Sequence, residues 1–170
     1  MEITFDRPFI ATQKFLNIKQ GNVSIGKMRR WVRPPKERPS TNPQYDVNIE
    51  VVGSTDYQIT QQSFSVREGY YWEFRQDNQI ISSITSSKGL KEKHRVDYHF
   101  NESILTIEAD WGVKPEGKIL INNREVGRTR GVGFLTNRHF SVEIDSRNHQ
   151  FDPNLVAGIA YTFWCSNNRG

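Results

Sequence analysis

Apolar and polar residues alternate along most of this chain, with the period of two expected for a strand that buries one face. In the clearest run, Tyr45, Val47, Ile49 and Val51 alternate with polar residues. Turn-forming Gly, Asn and Asp residues separate such runs at intervals of about 8–15 residues. The pattern predicts about twelve short strands, near residues 3–5, 9–15, 22–32, 45–51, 57–66, 70–75, 79–86, 96–100, 104–108, 118–122, 125–129 and 140–145. Strands spaced in this way are typical of a β-sandwich or a mostly antiparallel barrel.

The last apolar run, from Leu155 to Cys165, breaks the alternation and predicts a C-terminal helix. Asp152 is a good N-cap acceptor, and Pro153 suits the first helical position, where its missing N–H needs no partner. Because the run is apolar on every side, we expect the helix to be buried on every side. A final buried strand is the alternative, since the residues from Tyr161 to Trp164 have high β propensity.

Small residues inside this run lead to a further expectation. A glycine within a helix costs about 1 kcal/mol relative to alanine, and Gly158 lies in the middle of the predicted helix. Together with Ala157 and Ala160, it would allow neighbouring strands to approach closely. We therefore expect a packing reason for Gly158.

Four of the seven prolines lie in the segment 33–43. Because proline lacks a backbone N–H, this segment can be neither a helix interior nor a central strand. It is predicted to be an exposed loop between two strands. Its sequence contains no PxxP core, which disfavours the alternative of a polyproline ligand.

Length and composition are those of one globular domain spanning residues 1–170. Aromatic residues make up 12% of the chain, which argues against disorder. The single cysteine, Cys165, excludes an internal disulfide framework, and its place in the apolar run predicts a small buried side chain. The N-terminus does not resemble a signal peptide, and no apolar run approaches the ~20 residues of a membrane span. We expect a soluble, cytoplasmic protein, with peripheral contact to a membrane as an option.

The order of strands and then one wholly apolar helix resembles the tubby C-terminal-like superfamily, which includes tubby domains, phospholipid scramblases and plant LURP-one-related proteins. Residues 72–84 and 117–127 resemble two strand–turn–strand units of that family, and residues 140–145 with the final apolar run resemble its last strand and core helix. The resemblance implies a closed twelve-stranded barrel around a buried helix, acting as a non-enzymatic binding module. No segment aligns with the phosphoinositide-binding lysine and arginine of tubby domains, or with the calcium-site segment and palmitoylated cysteines of scramblases. No family site residue is therefore carried over.

The net charge of +4 is distributed unevenly along the chain. Residues 1–45 hold nine basic and three acidic residues, whereas residues 46–170 hold fourteen and sixteen. The excess is concentrated in the segment 27–38, which contains Lys27, Arg29, Arg30, Trp31, Arg33, Lys36 and Arg38. Basic residues around an aromatic side chain can bind phosphates or lie at an anionic membrane surface. The alternative is a solvated loop or a charged edge strand.

A second basic cluster surrounds the glycines of the segment 127–133. Its members are Arg124, Arg128, Arg130 and Arg138. A glycine-rich backbone with arginines can hold an anion, although the sequence contains no Walker A motif. The alternative is a solvated hairpin at the rim of a barrel.

Residues that could support an enzyme are scattered along the chain. His94, His99 and Glu108 could serve a site at a barrel mouth, and Glu108 would share one face of a strand with Asp110. A polar outer face is the simpler interpretation of that carboxylate pair. The sequence contains no motif with metal-ligand spacing and no hydrolase or kinase motif. We therefore predict no catalytic residue, no metal and no cofactor.

Three functions are compatible with these residues. The first is a non-enzymatic barrel that binds an anionic surface, such as phospholipid headgroups, or a protein partner through the basic clusters. The second is an assembly protein that forms oligomers, with the proline-rich segment as an interface. Nucleic-acid binding or an uncharacterised enzymatic activity ranks third.

Overall fold

The computed structural model describes residues 1–8, 12–87, 93–110, 116–133, 138–145 and 151–167. In this part of the chain, all strands belong to one closed antiparallel barrel. They are β1 (Glu2–Asp6), β2 (Leu16–Gln20), β3 (Val23–Trp31), β4 (Asn48–Val52), β5 (Tyr57–Ser65), β6 (Gly69–Gln76), β7 (Gln79–Ser86), β8 (Arg95–Phe100), β9 (Ser103–Ala109), β10 (Glu116–Ile121), β11 (Arg124–Val132) and β12 (His139–Ile144). Each strand pairs with the next one in sequence, and β1 closes the barrel by pairing with β12. The antiparallel barrel that the strand spacing allowed is confirmed, the sandwich alternative is wrong, and the barrel is closed, as the family resemblance implied.

The prediction of the second strand was wrong. Of the predicted strand 9–15, residues 9–11 lie outside the described ranges, and residues 12–15 do not form a strand. Instead, β2 begins at Leu16, and Leu16 and Ile18 point into the barrel. Phe15 is 39% exposed on the outer side, where it contacts two cations of β3. The aromatic residue therefore did not mark the buried face of a strand.

The described residues contain one α-helix, α1 (Pro153–Ser166), which lies within the barrel. The Asp152 side chain accepts a hydrogen bond of 2.8 Å from the backbone N–H of Asn154, and Pro153 occupies the first helical turn. Every residue from Asn154 to Ser166 is buried. The predicted helix and its N-cap are confirmed, and the alternative of a final strand is wrong.

Aromatic rings join α1 to the inner wall of the barrel. Tyr161 meets Phe5 edge to face at 5.9 Å, and Trp164 stacks on Phe140 at 4.8 Å. The Trp164 indole also donates a hydrogen bond of 3.0 Å to the Thr129 hydroxyl. Because the helix fills the lumen in this way, binding is expected on the outer wall and at the barrel ends.

The two ends of the barrel differ in their connections. At one end, a tight turn joins β6 to β7 with positive φ angles of 48° at Asp77 and 68° at Asn78, a conformation that Asp and Asn tolerate. The helix begins at this end, where the Asn154 amide donates to the carbonyl of Ile25. At the other end lie the longer connections, including the segment between β3 and β4. The helix ends there, with the Ser166 hydroxyl 2.9 Å from His94 Nε2.

Candidate anion-binding site

An exposed aromatic ring lies beside two cations on the outer wall of β2 and β3. The ring centroid of Phe15 is 4.8 Å from Lys27 Nζ and 4.7 Å from Arg29 Cζ. Distances of this size are typical of cation–π contacts, in which the ring face attracts the cation. The ring therefore helps to hold both cations at the surface of the barrel.

The alternation of β3 explains which of its residues reach this surface. Lys27, Arg29 and Trp31 point outward, whereas Met28 and Arg30 point inward and are buried. In the neighbouring strand, Asn17 lies opposite Lys27, and Lys19 shares the outer face with Asn17. The two strands thus present their cations on one side.

We define the Phe15 face as the exposed residues Lys14, Phe15, Lys19 and Lys27 together with the half-buried Arg29. Arg29 forms an ion pair with Glu50, with an N–O distance of 2.6 Å. Lys14, Lys19 and Lys27 form no ion pair with any residue that the structure describes. Three of the four cations on this face therefore keep their charge available to an anionic partner.

Trp31 lies at the margin of the Phe15 face. It is half-buried and borders a surface depression of about 260 Å³ together with Arg29, Glu50 and Gln58. Because Glu50 neutralises Arg29 in this depression, the depression is less suited to an anion than the lysine side of the face. Trp31 therefore lies beside Arg29, which is paired with Glu50, and not beside the lysines that form no ion pair.

Two of the predicted anion-binding residues hold the proline-rich segment instead. Arg30 is only 7% exposed, and its Nη2 group donates to the backbone carbonyls of Pro43, Gln44 and Asp46 at 3.0–3.1 Å. Arg33 donates to the Asp46 carboxylate from its backbone N–H at 2.6 Å and from Nε at 3.2 Å. Arg30 Nη2 and these two Arg33 donors face protein acceptors, so neither arginine belongs to the site on the outer wall.

Most residues of the proline-rich segment are exposed, and the segment contains a short 3₁₀ helix, Pro35–Glu37, while a second one, Pro43–Tyr45, begins at its last residue. Lys36 is exposed in the first of them, and Arg38 donates from Nε to the carbonyl of Arg33 at 2.7 Å. Because the second helix includes Tyr45, β4 begins three residues later than the alternation suggested.

Two of the four arginines in the second basic cluster are paired with acidic neighbours. Arg128 pairs with Glu125 at 3.1 Å, and Arg130 pairs with Glu143 at 2.7 Å. Arg124 is exposed at the start of β11 and forms no ion pair with a described residue. This cluster therefore contributes less free positive charge than its four arginines suggested.

The strand register nevertheless brings the two clusters to one side of the barrel. Arg130 lies opposite Ser141, Ser141 opposite Thr4, and Thr4 opposite Lys19. Since neighbouring strands lie about 4.8 Å apart, β11 and β2 are separated by roughly 14 Å. Between them is a polar cleft of about 290 Å³, lined by Thr4, Phe5, Asp6, Asn17, Lys19, Arg138 and His139.

Sequence reasoning missed Lys14, Phe15 and Lys19. The sequence could have placed Lys19 on the outer face of a strand, because Leu16 and Ile18 alternate with polar residues on either side. No sequence signal indicated that Phe15 is exposed, since its exposure depends on the register of β2 against β3.

The residues considered for an enzyme do not converge. His94 contacts the end of α1, with its ring 5.2 Å from that of Phe163, whereas His99 is exposed on the outer face of β8. Glu108 lies opposite Arg95 in the register of β8 and β9. Among the described residues, no three His, Cys, Asp or Glu side chains are grouped so as to hold a metal ion.

Cys165 is 2% exposed, which agrees with the buried side chain predicted from the sequence. Burial raises the pKa of its thiol from 9.0 to about 11, although Arg30 and a hydrogen bond with Tyr161 act in the opposite direction. The thiol is therefore protonated at neutral pH and is a poor nucleophile there.

No family model, no curated protein and no solved structure matches this chain. The resemblance to the tubby C-terminal-like superfamily therefore stays a prediction, whereas the barrel is established by the order of its strands. Within the described ranges, no helix has the length and hydropathy needed to cross a bilayer.

Proposed function

We propose that this chain is a non-enzymatic barrel that attaches to an anionic phospholipid surface through the Phe15 face. The observation that carries this proposal is an exposed aromatic ring in contact with Lys27, on a face where Lys14, Lys19 and Lys27 form no ion pair with a described residue. Lysine ammonium groups are compact charges on flexible stems, which suits contacts to headgroup phosphates of varied position.

The expected energies are sufficient for reversible attachment. Each basic residue close to an anionic membrane contributes about 1 kcal/mol, and this contribution falls off within a Debye length. The apolar area of Phe15 can enter the boundary between headgroups and acyl chains, which adds a contribution that salt does not screen. Arg29 contributes less, because Glu50 already compensates its charge.

The fold supports the proposal by fixing the face in advance. β3 is paired with β2 on one side and β4 on the other, so the backbone at Lys27 and Arg29 does not need to reorganise on binding. A barrel that encloses a helix is also the architecture that the tubby-like resemblance implies, and phospholipid headgroups are the ligand expected from it.

Vesicle co-sedimentation tests this function. Vesicles of phosphatidylserine and phosphatidylcholine are compared with vesicles of phosphatidylcholine alone, over a series of salt concentrations. We expect binding to the anionic vesicles only, and weaker binding as salt rises. Absence of binding at low salt, or equal binding to both kinds of vesicle, would contradict the proposal.

A further inference from the structure

Arg30 is a buried cation that has no carboxylate partner among the described residues. Its Nη2 group donates to three backbone carbonyls, whereas its Nε group is buried and meets no described acceptor. The carboxylate of Asp46, whose backbone carbonyl accepts from Arg30, itself accepts from Arg33. Among the described residues of this network, two guanidinium groups therefore lie near one carboxylate, which pairs with Arg33 and leaves Arg30 without a charged partner.

This imbalance is unfavourable in a protein interior. A buried charge is stable when it is both paired and hydrogen-bonded, and carbonyl oxygens supply only partial negative charge. The neighbouring Cys165 thiol does not supply the missing charge, because burial raises its pKa to about 11. Burial also raises the pKa of Tyr70 and of Tyr161, so these nearby phenols stay neutral too. An anion beside Arg30 would compensate this excess positive charge.

A pocket of about 180 Å³ opens beside Arg30 at the barrel end with the long connections. It is lined by Thr12, Gln13, Arg30, Val32, Pro43 and Gln44. Val32 and Pro43 form apolar walls, and the other lining residues offer polar groups. Since a cavity of about 150 Å³ can hold a benzene-sized molecule, this pocket has room for a ring or a short chain.

We propose that this pocket binds a small organic carboxylate with a short apolar tail. The carboxylate lies against the guanidinium of Arg30, and the tail packs on Val32 and Pro43. A guanidinium matches a carboxylate in shape and forms strong charge-assisted hydrogen bonds with it. Inorganic phosphate fits less well, because the apolar walls leave its remaining oxygens without donors.

The pocket is independent of the Phe15 face. Arg30 points inward from β3, whereas Lys27 and Arg29 point outward. A negative result in the vesicle experiment would therefore not count against the carboxylate pocket. A negative result with carboxylates would likewise not count against attachment to membranes.

Benzoate and hexanoate serve as probes on the full chain, with benzamide and hexanamide as neutral controls of matched size. The measurement is the NMR resonance of the Arg30 Nε–Hε group as each probe is added, together with the thermal unfolding midpoint. We expect the acids to shift the resonance saturably and to raise the midpoint, because binding to the folded state stabilises it. The amides should do neither. No shift at millimolar acid, or equal shifts with the amides, would overturn the proposal.

A variant that fills the pocket separates binding from folding. Val32→Trp occupies the pocket while leaving Arg30 and its carbonyl partners in place. This variant should keep the native circular dichroism and bind benzoate at least about tenfold more weakly, which corresponds to about 1.4 kcal/mol. Lys36→Ala, exposed on the neighbouring segment, is the matched control and should bind benzoate as the unmodified chain does. Unchanged benzoate affinity in a folded Val32→Trp variant would refute the assigned site.

Discussion

The hydroxyl of Tyr57 donates a hydrogen bond of 2.9 Å to the carboxylate of Asp152. The other carboxylate oxygen of Asp152 caps α1 by accepting from the backbone N–H of Asn154. One side chain therefore both starts the helix and ties it to β5 of the barrel wall. The position of the buried helix depends on this contact as well as on apolar packing.

Tyr57→Phe should lower the free energy of unfolding by about 1–2 kcal/mol, because a hydrogen bond to a charged group is lost while the ring remains. Urea unfolding measures this change. Asp152→Ala should cost more, since it also removes the helix cap. In a double-mutant cycle, Tyr57→Phe should have almost no effect in the Asp152→Ala background. Additive losses would show that the two residues do not act through each other.

Gly158→Ala should fail to stabilise the helix. A Cβ at position 158 would lie 2.8 Å from the Val51 Cγ2 methyl of β4, closer than such contacts allow. Overpacking of about 1–3 kcal/mol therefore cancels or exceeds the ~1 kcal/mol gain in helix propensity. Thermal unfolding should show an unchanged or lower midpoint. In a Val51→Ala background, the same substitution should become stabilising, and a stabilising effect in the native background would contradict the close packing.

Asp46→Asn should loosen the proline-rich segment and lower stability by about 3 kcal/mol, because Arg33 loses the charge of a fully buried partner. Limited trypsin digestion provides a second measurement. The bond after Lys36 is the expected cleavage point, since Arg33 and Arg38 both precede proline. Lys36→Ala removes that bond and serves as the digestion control, with a stability change within about 0.5 kcal/mol. Unchanged digestion of the Asp46→Asn variant would argue against the role of Asp46.

The chain should lose stability in alkaline solution. Burial raises the pKa of Cys165 from 9.0 to about 11, and burial with the nearby Asp152 raises that of Tyr57 from 10.0 to about 12. Burial raises the pKa of Tyr70, Tyr98 and Tyr161 as well. The folded state therefore holds these protons more tightly than the unfolded chain does. The contribution of these groups to the free energy of unfolding is fully present below pH 9 and is lost as the pH rises towards 12.

Urea unfolding between pH 8 and pH 11 measures this loss, with tyrosine ionisation followed by absorbance. Phenolate absorbance from the buried tyrosines should appear together with unfolding rather than before it. A free energy of unfolding that stays constant over this range would contradict the raised pKa values.

Local patterns were sufficient to predict much of the fold. The alternation of apolar and polar residues predicted the barrel strands, and Asp152 and Pro153 marked the start of the helix. Both kinds of signal lie within a few residues of sequence, so they can be recognised without the folded structure. The second strand was misplaced, since residues 9–15 were predicted to form a strand, whereas β2 begins at Leu16 and Phe15 precedes it, exposed on the outer wall. Its exposure depends on Lys27 and Arg29, which lie in the next strand, and no local pattern encodes such a contact.

The candidate site was less predictable for the same reason. The alternation of β3 separates Arg29 from Arg30, but the bend that brings Pro43 and Asp46 back over Arg30 is a property of the folded chain. Likewise, Arg130 was interpreted as a free cation until the register placed Glu143 of β12 beside it, whereas Glu125, the partner of Arg128, lies three residues earlier on the same strand. Charge counted along the sequence therefore overestimated the free charge on the surface.

The vesicle affinity of two charge-matched double variants tests the proposed membrane attachment most directly. Lys19→Gln with Lys27→Gln removes two cations from the Phe15 face. Arg67→Gln with Arg95→Gln removes two from elsewhere, with Arg95 on β8, six strands from β2 around the barrel. At about 1 kcal/mol per basic residue, the first pair should weaken binding to anionic vesicles roughly 30-fold, and the second should change it less than about twofold. Equal losses in the two variants, or no loss in the first, would contradict attachment through the Phe15 face.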